Sequence, residues 1–344
     1  MGIRRTRPRA PTVGVVTKSY EASPDSAPPD SRPGAGRVSV RWHQIRVDGR
    51  AAACLEAGEG RPVLFLHGWG LSHRAYRDAV RRLAESGVRV LAPALPGFSG
   101  TASLPADDTT LRGYAAWVIA FLDAVNVTEP VMLVGHSFGG GVGIVAAHEH
   151  PDRVGALVLV NAIGGGAWTR DGDEVRPMAD RSLWNWGLHF SADIGRPVQL
   201  ARVLPLVVSE ALPNLVLDPR AFWQAAQLAR DADLTSELAT LRRRGFPVVI
   251  VWSPRDRIVT EASVDALRAA LGDAPTISVP GGHNWLLADP DRFGRVMTNV
   301  VEVADRTGRL SRRRRWWRRV RSSRRTPGSG SDVDGCDAFA TEEL

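Results

Sequence analysis

Apolar and polar positions follow two distinct periods along this chain, and they do so between about residues 38 and 307. At the start of that stretch, "VSVRWHQIRV" (38–47) and "AAACLEA" (51–57) flank "DGR", the pattern of a β-hairpin closed by a tight turn. Six later runs are short and continuously apolar: "PVLFLHG" (62–68), "VRVLAPAL" (88–95), "PVMLVGHS" (130–137), "ALVLVNA" (156–162), "PVVIVWS" (247–253) and "TISVP" (276–280). Strands covered on both faces have this composition. Helical spacing separates them. Tyr76, Val80, Leu83 and Ala84 share one helical face. Leu111, Tyr114, Ala115, Val118, Leu122 and Val125 share another, behind the candidate caps Thr109 and Thr110. "FGGGVGIVAAHEH", "EASVDALRAAL" and a last segment with Phe293, Val296, Met297, Val300 and Ala304 complete the set.

Strand–helix alternation with buried strands predicts an α/β fold, a mostly parallel twisted sheet with helices on both faces. Residues 164–245 break the rhythm. They hold Trp168, Trp184, Trp186, Phe190, Phe222 and Trp223 and several helical stretches, with no convincing strand. They read as a helical cap inserted over the carboxyl ends of the strands, where open α/β sheets bind ligands. The core is then 38–163 together with 246–307.

Composition adds a globular body and two unlike tails. The chain of 344 residues is 44% hydrophobic and 24% charged, enough apolar material for a large core. The net charge of +7 belongs to the ends. Residues 1–37 carry seven Arg and Lys against three acids, and residues 308–344 carry ten Arg against five acids, which leaves the body slightly acidic. The high isoelectric point is therefore no argument for specific nucleic-acid binding. Both tails are expected to be disordered. Within the second, the block Arg309–Arg325 with Trp316 and Trp317 has three readings: a solvated tail, peripheral contact with an anionic membrane, or nonspecific contact with nucleic acid. Cys54 and Cys336 imply no disulfide framework, no stretch of 18 apolar residues exists, and a cytoplasmic location is expected, with the inner membrane surface open to the tail.

The candidate chemistry starts at Gly135-His136-Ser137-Phe138-Gly139, a G-x-S-x-G turn between a predicted strand and a predicted helix. A serine on so sharp a turn projects its hydroxyl above the sheet, and side chains two residues to either side would clash. The hydroxyl needs a base. His283, in "VPGGHNWLL", follows the last strand at the carboxyl edge. The base needs an orienting acid, and Asp256 in "WSPRDRIV" sits at the same edge. Asp265 reads as solvated, and Asp289 and Asp291 as capping or turn residues. His148 and His150, two apart on a helix, do not face one way and read as surface or capping groups. No metal or phosphate motif is present.

The order Ser, Asp, His along the chain is that of one fold, and residues 38–307 resemble the α/β-hydrolase superfamily. The resemblance implies an oxyanion hole from the backbone N–H of Phe138 and, by the match of "LHGWG" (66–70), that of Trp69. It makes His67 a structural loop histidine, and His136 reads as shaping the elbow. It implies hydrolysis of a carboxylic ester or related acyl bond in a small molecule, without cofactor or metal; the aromatic side chains of the cap read either as a sign of a hydrophobic substrate or as packing within the cap. Thioester, carbon–carbon and peracid chemistry use the same triad. A serine elbow argues against epoxide hydrolase and haloalkane dehalogenase chemistry, which need a carboxylate nucleophile. A non-catalytic binding or scaffold protein on this fold is the alternative of another class. Two places depart from the family pattern: "APALPGFSG" has Ala94 and Ser99 where relatives carry Asp and Gly, and Ser253-Pro254 replaces the usual glycine before the acid.

Overall fold

The computed structural model describes residues 38–169, 174–182, 197–272 and 274–302. Both tails, with Cys336, Trp316, Trp317 and the Arg309–Arg325 block, lie outside the described residues, as do Trp184, Trp186, Phe190 and Ala304.

The chain opens with the expected hairpin. β1 (Val40–Val47) and β2 (Arg50–Ala57) pair antiparallel with Val47 opposite Arg50, so Arg50 belongs to the strand and the turn is Asp48-Gly49 alone. Both turn residues have positive φ, 48° and 75°, which gives the backbone twist that two-residue hairpins prefer. β3 (Arg61–Leu66), β4 (Val88–Pro93), β5 (Val131–His136), β6 (Val154–Val160), β9 (Val248–Trp252) and β10 (Thr276–Ser278) follow, each close to a predicted run. The eight strands lie in the order β1-β2-β4-β3-β5-β6-β9-β10. β2 is antiparallel to both neighbours and the rest of the sheet is parallel. The inserted region is not free of strands: β7 (Ala167–Trp168) and β8 (Arg176–Pro177) form a two-residue ladder, too short to leave a hydrophobic signature.

Period-two alternation divides the core between the two faces of the sheet. Val63 and Phe65 of β3, Met132 and Val134 of β5, and Val249 and Val251 of β9 face one layer. That layer is built from α1 (Arg77–Ala84), the Trp285–Ala288 turn of helix and the helix over 290–302, through Val80, Leu83, Leu286, Phe293 and Met297. Leu64, Leu66, Leu133, Leu157 and Ile250 face the other, against α2 (Leu111–Ala124), α3 (Phe138–Glu149) and the Glu261–Leu271 helix. Thr110, not Thr109, caps α2, its side chain accepting from the Gly113 N–H at 3.0 Å. Tyr76 is not a helical residue but the N-cap position of α1.

Among the described residues, three α-helices come from the inserted region. Pro197–Leu217 and Pro219–Asp231 run over the loops that follow β3 and β4: Asn214 donates to Gly70 O and accepts from Ser99 N–H, and Ala221 lies against Gly97. Asp218 caps the second of these, with Pro219 at its first position. The third, Thr235–Arg243, buries Leu238 and Leu241 in the layer of α3 and Glu261–Leu271, so it flanks the sheet. Among the described residues, no helix is long and apolar enough to cross a membrane.

The hairpin turn offers a test of this account. Gly49 has open space where a Cβ would stand, so only its positive φ opposes a side chain. Gly49→Ala should lower stability by about 1 kcal/mol in urea unfolding, without a change in the slope of the transition.

Candidate active site

Ser137 sits between β5 and α3 with φ 52° and ψ −116°, a conformation that a residue with a side chain adopts only under local constraint. The constraint is a close crossing. A Cβ on Gly135 would lie 2.4 Å from Gly139 O, and one on Gly139 would lie 2.5 Å from Leu66 O and 2.7 Å from His67 O. The Gly139 N–H donates to His67 O at 3.1 Å, which ties the turn to the end of β3. The Ser137 N–H donates to Val160 O, which ties it to β6.

The structure places Ser137 and His283 on the walls of one narrow cavity, together with Gly68, Trp69, His136 and Asn284. His283 is 2% exposed and its Nδ1–H donates to Asp256 Oδ2 at 2.8 Å. Asp256 is equally enclosed and fully coordinated. Its Oδ1 accepts the N–H groups of Ile258 and Val259 at 2.7 and 2.8 Å, and its Oδ2 also accepts Asn161 Nδ2 at 2.6 Å. The Asn161 Oδ1 in turn accepts Trp285 Nε1–H at 2.9 Å. Ser253-Pro254 proves compatible with this: Asp256 N–H donates to Ser253 O at 2.9 Å, closing a turn with proline at its second position. The other carboxylates lie elsewhere. Asp265 pairs with Arg268 on the surface, Asp289 accepts the Arg292 N–H, and Asp291 pairs with Arg82.

His136 and His67 are held as neutral rings. His283 O can only accept, so His136 Nε2 carries the proton and donates to it at 3.0 Å. His136 Nδ1 therefore accepts from Tyr76 O–H at 2.8 Å, and the same hydroxyl accepts the Gly68 N–H. His67 Nδ1–H donates to Gly68 O, and its Nε2 accepts the Leu95 N–H, joining the loops after β3 and β4. Burial drives His136 well below the ordinary histidine range, with His283 adding to the effect, and takes His67 down to about 4. His148 and His150 lie at the end of α3, away from the cavity.

Trp69 bridges the cavity and the inserted region. Its indole N–H donates to Phe222 O at 2.7 Å, and its ring packs against Phe222 and Trp223. Phe138 turns its ring into the core against Tyr114. At the loop that departs from the family pattern, Ala94 extends the pairing to β2 through its N–H to Ala53 O. Ser99 takes φ 42°, where glycine is favoured, and is held there by Asn214 and by its own hydroxyl on Glu210.

Four residues around the site carry no catalytic signature in the sequence: Tyr76, Asn161, Asn284 and Arg181. Asn161 directly follows β6, at the same carboxyl edge of the sheet as Asp256. Arg181 is 2% exposed, donates to Arg257 O at 2.7 Å and Ile258 O at 2.9 Å, and stands over the Trp168 ring. Burial lowers its pKa, and the charge of Asp256 opposes that shift. This guanidinium thus grips the loop whose amides hold Asp256.

The sequence matches the model of the alpha/beta hydrolase family over residues 63–296. The chain belongs to that family. It is an enzyme of the alpha/beta hydrolase fold, with the eight-stranded, mostly parallel sheet described above. It is 28% identical over 262 residues to a pimeloyl-(acyl-carrier protein) methyl ester esterase of Aromatoleum aromaticum, spanning 70% of this chain and 97% of that protein. Among solved structures, an esterase from Exiguobacterium antarcticum superposes with a TM-score of 0.61 at 20% identity, covering 75% of this chain and 98% of the other. A meta-cleavage product hydrolase from Pseudomonas fluorescens IP01 gives 0.60 at 22% identity, covering 76% and 98%. At these identities the two structures share its fold.

Two predictions arise from this geometry. Gly139→Ala forces a methyl group onto two backbone carbonyls and should cost about 3 kcal/mol in urea unfolding. Stability should also fall as pH drops below the ordinary histidine range. The unfolded chain binds protons near 6.5, whereas His67 stays neutral in the fold down to about 4 and His73, also buried, down to about 3. Each should withdraw on the order of 2 kcal/mol between pH 7.5 and pH 5. His73→Leu should flatten the profile, measured as unfolding free energy against pH.

Proposed function

We propose that this hydrolase cleaves a carboxylic ester, or a related acyl bond, by covalent catalysis at Ser137. The observation that carries the reading is that one cavity joins Ser137, on its strained turn, to His283, whose Nδ1 is engaged by the buried Asp256. With Nδ1–H donated to the carboxylate, Nε2 is the nitrogen for proton transfer. Ser137 Oγ attacks the substrate carbonyl and gives its proton to His283. Asp256 fixes the tautomer and stabilises the imidazolium. The backbone N–H groups of Trp69 and Phe138 receive the developing oxyanion, a contribution worth about 3 kcal/mol per donor in comparable sites. His283 then protonates the leaving group. Water, activated by the same histidine, releases the acyl group and restores Ser137.

The helices Pro197–Leu217 and Pro219–Asp231 act as a cap on this site. Their aromatic contacts at Trp69, Phe222 and Trp223 favour a substrate with apolar character. The ester reading is preferred over carbon–carbon cleavage because the esterase of Aromatoleum aromaticum matches along nearly its whole length.

A fluorophosphonate probe should label the wild-type protein, and Ser137→Ala should abolish labelling while leaving the fold intact by circular dichroism. Asp256→Asn should lower kcat on p-nitrophenyl esters by about 10³- to 10⁴-fold, because the amide supports the wrong imidazole tautomer. Well-folded wild-type protein with neither labelling nor ester turnover would sink the proposal.

A further inference from the structure

The rings and carboxylate of His136, His283 and Asp256 all have hydrogen-bond partners, but the amide of the next residue along the chain from His283 does not. Asn284 is 5% exposed, and both its Oδ1 and Nδ2 are buried with no hydrogen-bond partner among the described residues. It lines the same cavity as Ser137 and His283. Its backbone is fixed, since its carbonyl accepts the N–H groups of Leu287 and Ala288 at 3.0 and 3.2 Å. The amide does not cap the helix that begins at Trp285. A carboxamide in this position brings two donors and two acceptor lone pairs into a cavity that Leu71 and Ile258 also line. Left unpaired, it destabilises the folded state, and a leucine of similar size would not. A partner supplied from within the cavity removes that penalty.

We infer that Asn284 is a substrate-recognition residue, and that the substrate carries a neutral hydrogen-bonding group, a hydroxyl or a second carbonyl, close to the carbonyl under attack. The inference rests on the Ser137 reading above and deepens it. Neutrality follows from the walls. Among the described residues, no Lys or Arg lines the cavity, and its second histidine, His136, is held uncharged, so none of them would balance a carboxylate or a phosphate. Proximity follows from Asn284 being adjacent to His283 in the chain and sharing the narrow space beside Ser137. A site built to hydrogen-bond a substrate group discriminates strongly against the analogue that lacks it.

The test compares kcat/KM for methyl butanoate, methyl 2-hydroxybutanoate, methyl 3-hydroxybutanoate and methyl 3-oxobutanoate, each divided by its rate of alkaline hydrolysis. That division removes intrinsic differences in carbonyl reactivity. In the wild-type enzyme at least one polar member should exceed the parent by about tenfold or more. In Asn284→Leu that ratio should fall to near one, and the Tm should hold or rise, because a buried unpaired amide has gone. Asn284→Ala, smaller than the native side chain, reads the same ratio where leucine does not fit. A flat wild-type series, or a polar preference that survives both variants, overturns the inference. Fluorophosphonate labelling separates the two levels: a labelled enzyme with a flat series loses only the role of Asn284, and an unlabelled one loses the Ser137 reading as well.

Discussion

The carboxyl edge of this sheet depends on how closely α3 approaches β5 and β3. Between Gly135 and Gly140 the helix crosses the strands with almost no side chain in between, and a Cβ on any of Gly135, Gly139 or Gly140 would stand within 2.5 Å of a neighbouring atom. That contact sets Ser137 at φ 52° and holds it there through hydrogen bonds to β6 and to the end of β3. Strain of this kind persists only where the surroundings over-determine it. Here they do: the turn is fastened to the two strands that flank β5, and the helix behind it is buried along ten of its residues.

His283 is gripped from two directions by chains of hydrogen bonds. Its ring is held by Asp256, then Asn161, then Trp285. Its backbone carbonyl is held by His136, then Tyr76, then Gly68. The first chain sets the ring and the second sets the loop that carries it. The second also passes through His136, the neighbour of Ser137, so the turn and the histidine loop cannot drift apart without breaking a buried bond. Leaving such a group unpaired costs about 1–3 kcal/mol, which makes each link a constraint on geometry as much as a contribution to stability.

The buried strands, the hairpin and the Ser137 turn were legible because each depends on residues close in sequence. A run such as "PVMLV" announces a covered strand, and glycines at 135 and 139 announce a crossing. His283 and Asp256 were legible for another reason, since both follow strands at the edge where ligands bind. Asn161 obeys the same rule and was overlooked because an asparagine after a strand has many ordinary roles. Tyr76 keeps helical spacing with Val80 and Leu83, so periodicity placed it on a helix face. Its hydroxyl, bonded to a histidine 60 positions away, is beyond any local pattern. Thr235–Arg243 was grouped with the insertion because helical spacing says nothing about which layer a helix joins. Its two buried leucines decide that through contacts with α3 and Glu261–Leu271.

Arg181 links the inserted region to the loop that holds Asp256. A guanidinium this deeply buried, with no carboxylate bonded to it among the described residues, is costly, and two carbonyls and the face of Trp168 offset the cost. Those carbonyls belong to Arg257 and Ile258, and the N–H groups of Ile258 and Val259 are the ones that hold Asp256. The same loop is therefore bound on its carbonyl side by a cation and on its amide side by an anion. Its peptide dipoles lie between opposite charges that both favour one orientation. A hydrophobic residue at 181 could fill the space, but it would leave the loop aligned by Asp256 alone. The inserted region thus meets this edge of the sheet twice: Phe222 packs on Trp69 at the cavity wall, and one buried charge aligns the loop that holds Asp256.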